Sequence, residues 1–291
     1  MNGIGVIRIL KMFLACLVIG TLVFPAGGMA AGGYRPLGGR ASGLGGISAA
    51  LSDQWSAANN QAGNAFNNGM ICGVYFENRF MVKELSYKAM VFSACLKPGA
   101  FSFVFQHFGT GGYIEMKTAA GYARKFGKRF SAGIQLSYYS FRFGDGYGSK
   151  SIINCEAGLQ FRPSKQLSIG FHLVNPVPVK INTFSGESLA CLIRLGIAYN
   201  FTDALMVSAE VEKDPVSSVC ARIGAECRFA GILSARAGVA TTPFRLSIGA
   251  GIQIKRFSLD FASEYNQVLG FSPAVSIQYL LGKQEAHIRR Q

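Results

Sequence analysis

The stretch Phe244-Arg245-Leu246-Ser247-Ile248-Gly249-Ala250-Gly251-Ile252-Gln253-Ile254-Lys255 decides the fold, because every even position is apolar and every odd one is polar or Gly. Successive side chains of a strand point to opposite faces, so one face of this segment suits hydrocarbon and the other suits water. The pattern returns in Phe257 to Tyr265, where Phe257, Leu259 and Phe261 oppose Ser258, Asp260, Ala262 and Glu264. It returns again in Phe130 to Tyr138, where Ala132, Ile134 and Leu136 oppose Ser131, Gly133, Gln135 and Ser137. Strands of a soluble sandwich share this period but usually run to about five or six residues, whereas a tilted strand needs about 9–11 to cross a bilayer. These segments have the longer span. The expected fold class is therefore all-β, a transmembrane antiparallel β-barrel with about fourteen strand-length segments, within the range known for single chains.

The breaks between segments support an up-and-down path. Tight breaks fall at Lys97-Pro98-Gly99, Gly127-Lys128, Pro163-Ser164-Lys165, Thr202-Asp203, Ala230-Gly231 and Lys255-Arg256. The breaks between them tend to be longer: 144–149, 175–187, 240–243 and 266–270. Short periplasmic turns and longer outer loops are the asymmetry of such barrels, and an even strand count puts both ends on the periplasmic side. Phe126, Phe130, Phe141, Phe143, Phe161, Phe201, Phe229, Phe257, Phe271 and Tyr279 fall near strand ends and are read as interfacial girdles.

Ahead of the barrel, Arg8 and Lys11 precede an apolar run from Met12 to Phe24, then Pro25 and small residues through Ala31. Basic, apolar and small regions in that order make a secretory signal peptide, assigned to residues 1–31, and localise the chain to the bacterial outer membrane. Cys16 lies too early in the apolar run to favour a lipoprotein signal. Residues 32–69, rich in Gly, Ala, Ser and Asn, lack alternation and are too short for a core of their own. They are expected to borrow the barrel interior as a plug, with Arg40, Asp53, Trp55, Asn59 and Asn60 as its polar and aromatic anchors. The barrel is assigned to 70–282 and a tail to 283–291.

Only 15% of residues are charged, against about a quarter in soluble domains, while mean hydropathy is +0.26. The net charge of +14 comes from Lys and Arg placed at turns and on polar strand faces, with no recognition helix. Nucleic acid is therefore not an expected partner; outer-membrane lipid is. On the polar faces, Arg194, Glu210, Arg222, Glu226, Arg236, Arg245, Asp260 and Glu264 would project into the lumen, either bracing the wall and plug or lining a conduit. No catalytic, cofactor or metal pattern emerges: His107, His172 and His287 have unrelated contexts, and the cysteines show no CxxC spacing. Cys155 and Cys191 are read as small hydrophobes on apolar faces. A hairpin turning near Lys83-Glu84 would bring Cys72 and Cys95 opposite each other, the arrangement for a disulfide.

Gly39-Arg40-Ala41-Ser42-Gly43-Leu44-Gly45-Gly46-Ile47-Ser48-Ala49-Ala50-Leu51-Ser52-Asp53, followed by Asn59-Asn60-Gln61-Ala62-Gly63, resembles the N-terminal motif of the FadL-type outer-membrane superfamily. Residues 122–130 and 269–273 bring the resemblance closer to the PorV/PorQ-like branch of Bacteroidetes, associated with type IX secretion. Asn60-Gln61 stands where that family often has Asn-Pro. The resemblance implies a non-enzymatic barrel that takes a hydrophobic ligand or serves protein export, or a scaffold for a secretion-system protein.

Overall fold

The computed structural model describes residues 34–144, 148–177, 179–181, 189, 191–214 and 218–281. The assigned signal peptide and the 283–291 tail lie outside the described residues. Fourteen strands form one closed sheet in which each strand pairs antiparallel with its sequence neighbours and the first closes on the last. In order they are β1 Met70–Asn78, β2 Ser86–Leu96, β3 Gly99–Phe108, β4 Tyr113–Phe126, β5 Phe130–Phe143, β6 Ser149–Phe161 and β7 Leu167–Val174. The second half comprises β8 Leu192–Asn200, β9 Leu205–Lys213, β10 Cys220–Phe229, β11 Leu233–Ala240, β12 Arg245–Ile254, β13 Phe257–Asn266 and β14 Gly270–Leu281.

Alternation decides which way each side chain faces. Along β12, Leu246, Ile248 and Ile252 point outward and are exposed, while Arg245 and Ser247 are buried inside. Ile248 is 67% exposed and Ile134 65%, whereas Arg194 and Glu210 are at 0%, the reverse of a protein folded for water. The tight breaks all lie at one rim, together with the start of β1 and the end of β14. At the opposite rim, β1–β2, β7–β8 and β9–β10 have the longer loops, while β11–β12 and β13–β14, expected to be longer than the tight breaks, close through 241–244 and 267–269 and are shorter than the 162–166 turn of the first rim.

Parity corrects three expectations. Cys72 faces outward from β1 and pairs in register with Phe92, whereas Cys95 faces inward from β2, with its thiol 3.5 Å from the Asn64 carbonyl. The wall itself separates them, and both are free thiols. Phe141 and Phe143 are not girdle residues: they share the inward parity of Tyr139, and Phe141 is fully buried against Ile152, Ile181 and Leu189 at the long-loop mouth. Cys191 precedes β8 and lies outside the strand, half-buried, whereas Cys155 is exposed on the outward face of β6. The outward aromatics at the short-turn rim, among them Phe126, Phe161, Phe229 and Phe257, do stand exposed around the circumference.

Candidate functional site

Residues 34–69 lie inside the barrel. They are too rich in Gly for long helices and form three short helical turns, α1 Gly39–Gly43, α2 Ser56–Asn59 and α3 Gln61–Asn64, against the wall's inner face. Two asparagines set the path. The Asn59 side chain accepts from the Leu37 amide at 2.8 Å and donates to the Leu37 carbonyl at 2.9 Å, tying the segment around Leu37 to α2. Asn60 caps α3 through the Ala62 amide, and its side-chain amide donates to the carbonyl of Ala49 and, at 3.3 Å, to those of Leu159 and Phe171 in β6 and β7. Trp55 packs edge-on to Tyr75 of β1 and is 1% exposed. The wall makes room for this backbone: a β-carbon on Gly170 would overlap the Ala49 carbonyl oxygen, and one on Gly238 the Leu44 carbonyl carbon.

The predicted lumen charges converge on the plug in three groups. In the first, Glu226 accepts from Arg40 at 2.7 Å and from Arg236 at 2.8 Å, Asp260 accepts from Arg236 at 2.6 Å, and Arg40 also reaches Asp53 at 3.2 Å. In the second, Glu210 accepts from Arg194 and Arg222, each at 3.0 Å, and its other oxygen takes the Ser48 and Ala49 amides at 2.9 and 2.7 Å. In the third, Glu264 pairs with Arg245 at 3.2 Å and with Arg35 of the plug at 2.9 Å. Burial works against the Arg40 charge, and Glu226 and Asp53 outweigh it, so the guanidinium stays protonated. Burial also raises the Tyr34 phenol above its ordinary range.

A fourth group escaped the sequence reading. Glu156 of β6 takes Lys117 of β4, with His172 of β7 at 3.3 Å and Gln61 of the plug at 3.2 Å. Glu77 of β1, also unforeseen, binds Arg35 at 3.1 Å. Lys117 and Glu156 do hold inward parity, which was the available signal, while their meeting depends on β5 between them, where the small inward residue at that level, Ser137, leaves room and itself reaches Glu156 at 3.4 Å. Glu212 joins Arg222 at 2.8 Å. Together the groups fasten plug to wall at β1, β6, β8, β9, β10 and β13, and single hydrogen bonds add β5 through the Ser131 hydroxyl to the Ala62 carbonyl, β7 through Asn60 and β14 through the Gly39 amide to the Ser276 hydroxyl. Toward β3 and β4, Ala57, Ala58 and Ala65 meet Val104, Ala119, Ala100 and Ala123.

No protein-family model matches the sequence, and no curated protein matches it significantly. Solved structures do. A FadL homologue of Pseudomonas aeruginosa superposes with a TM-score of 0.66 at 11% identity, covering 88% of this chain and 100% of that one. The Pseudomonas putida toluene transporter TodX gives 0.59 at 10% identity, covering 84% of this chain and 96% of that one. At such identity the likeness is one of fold.

Proposed function

We propose that this chain is an outer-membrane barrel through which hydrophobic small molecules pass, closed to water and ions by its own plug. The observation that carries the proposal is the lumen filled by residues 34–69 and braced by buried ion pairs, inside a wall whose outer face is apolar. A water-filled conduit would leave lumen charges hydrated, whereas Arg194 and Glu210 are fully buried. An apolar solute can use a second route, sideways through the wall. Pro273 of β14 pairs in register with Ser263 and has no N–H to give that ladder. Beside it, Leu246, Ile248, Ser263, Tyr265 and Phe271 line an outward hollow of about 290 Å³.

The test is ion conductance of the refolded chain in planar bilayers together with toluene entry into proteoliposomes, for the intact protein and for a form lacking residues 35–69. Toluene entry without conductance in the intact chain, and conductance after deletion, are the expected results. Steady conductance by the intact chain, or toluene entry no faster than through protein-free vesicles, would overturn the proposal. The sealed lumen equally suits a second role, a PorV/PorQ-like scaffold in type IX export whose loops hold a secretion-system protein. Co-purification of a stable partner with no toluene entry would favour that role.

A further inference from the structure

Among the described residues the short-turn rim carries a one-sided charge. Lys97 in the β2–β3 turn, Lys128 and Arg129 in β4–β5, Lys165 in β6–β7, and Lys255 and Arg256 in β12–β13 are all exposed. None has an ion-pair partner among the described residues, in contrast to the lumen cations, which are paired in the groups above. The one exposed acid at this rim is Asp203, in the β8–β9 turn. Six uncompensated cations at one rim require counter-charge from outside the protein.

Their position says which. The six follow the perimeter and do not gather over the lumen axis. Four of them sit directly beyond outward aromatics: Phe126 and Phe130 flank Lys128 and Arg129, and Phe257 follows Lys255 and Arg256, each aromatic exposed on the hydrocarbon-facing wall. Exposed aromatics of this kind mark the edge of a bilayer's apolar layer, and a cation one or two residues beyond lies at the level of lipid phosphates. We infer that this rim is a basic collar that binds the headgroups of acidic phospholipids in the leaflet it faces. An acidic protein docking on the end of the barrel would need cations over the axial face, whereas these occupy four separate turns of the rim, β12–β13, β2–β3, β4–β5 and β6–β7.

The inference rests on the membrane reading above but not on transport. It is tested by electron paramagnetic resonance of spin-labelled lipids around the intact chain in phosphatidylcholine vesicles. Labelled phosphatidylglycerol should occupy the protein's lipid shell about five-fold more strongly than labelled phosphatidylcholine at low salt. Molar salt should abolish the preference. So should substitution of Lys97, Lys128, Arg129, Lys165, Lys255 and Arg256 by Gln, while Gln at Lys83, Lys88 and Lys150 toward the other rim should leave it intact. Equal occupancy by the two lipids, or a preference that survives the six substitutions, would overturn the collar alone. Absence of any immobilised lipid would overturn the membrane reading with it. If the six substitutions leave lipid occupancy unchanged but release a bound acidic protein, the collar serves a protein partner and the lipid assignment fails.

Discussion

Glu210 shows what a single buried charge does in this lumen. It neutralises Arg194, shares Arg222 with Glu212, and receives two plug amides, so wall strands β8, β9 and β10 and the plug all meet at one carboxylate. Replacing a buried ion pair by apolar groups of similar volume is close to neutral, whereas removing one partner strands the other charge at a cost of about 3–5 kcal/mol. Glu210→Ala should therefore lower the urea midpoint of the folded barrel strongly, because Arg194 at 0% exposure keeps Glu212 at 3.3 Å as its one carboxylate partner, its bonds to the Tyr34 and Ser48 hydroxyls being to neutral groups. The double variant Arg194→Met with Glu210→Leu should be more stable than Glu210→Ala. Urea titration of the three proteins, followed by gel mobility of unheated samples, measures both. A double variant less stable than the single one would mean that the pair contributes more than its mutual neutralisation. None of this was legible at the residue level: the sequence put Arg194 and Glu210 on the polar face, but which plug amides Glu210 would receive depends on a path through the lumen that no local pattern encodes.

Strands were far more legible than their contacts, and the reason is the period. A side chain's face follows from parity alone, so the apolar and polar faces of β5, β12 and β13 could be assigned from sequence. Parity has to be carried along a whole strand, however, and proximity alone does not give it. A turn at Lys83-Glu84 would set Cys72 opposite Cys95, but the β1–β2 connection contains two helical turns, 79–81 and 83–85, and register resumes at Asn78 with Ser86. Phe141 and Phe143 were grouped with Phe126 and Phe130 by nearness to a strand end, although they have the opposite parity. The corrected assignment makes a chemical prediction. The outward face of β6 around Cys155 should be modified by a carbene released from a diazirine in a lipid acyl chain in reconstituted vesicles, whereas Cys95, which faces the plug, should be spared. A sulfonated maleimide confined to water should label neither quickly, because its addition needs a thiolate that hydrocarbon and plug both disfavour. Peptide mass spectrometry resolves the sites, and equal carbene labelling at Cys95 and Cys155 would contradict the register of β2 or β6.

At the scale of the whole molecule, the proposed passage of a hydrophobic solute would go either by moving the plug or by avoiding it. The fastening is uneven: charges and amides hold the plug over most of the circumference, while alanines rest on apolar wall residues at β3 and β4. A plug that moves must break the polar side or pivot on it, parting first where only dispersion holds it. A cross-link on the polar side tests whether the plug must leave its seat entirely, since a pivot about that side would survive it. A β-carbon at Gly196 of β8 would stand 3.2 Å from that of Ala49 in the plug, a little shorter than the range of about 3.5–4.5 Å natural to a disulfide. Ala49→Cys with Gly196→Cys should therefore join plug to wall after a small local shift. If passage needs the plug to leave its seat, oxidation of this pair stops toluene entry and a reductant restores it, while Gly196→Cys alone shows no redox dependence. If solutes leave through the wall near Pro273 with the plug in place, oxidised and reduced forms admit toluene at the same rate. The buried ion pairs favour the second outcome, because displacing the plug would expose Glu210 and Glu226 to a lumen stripped of the amides and guanidinium that now satisfy them.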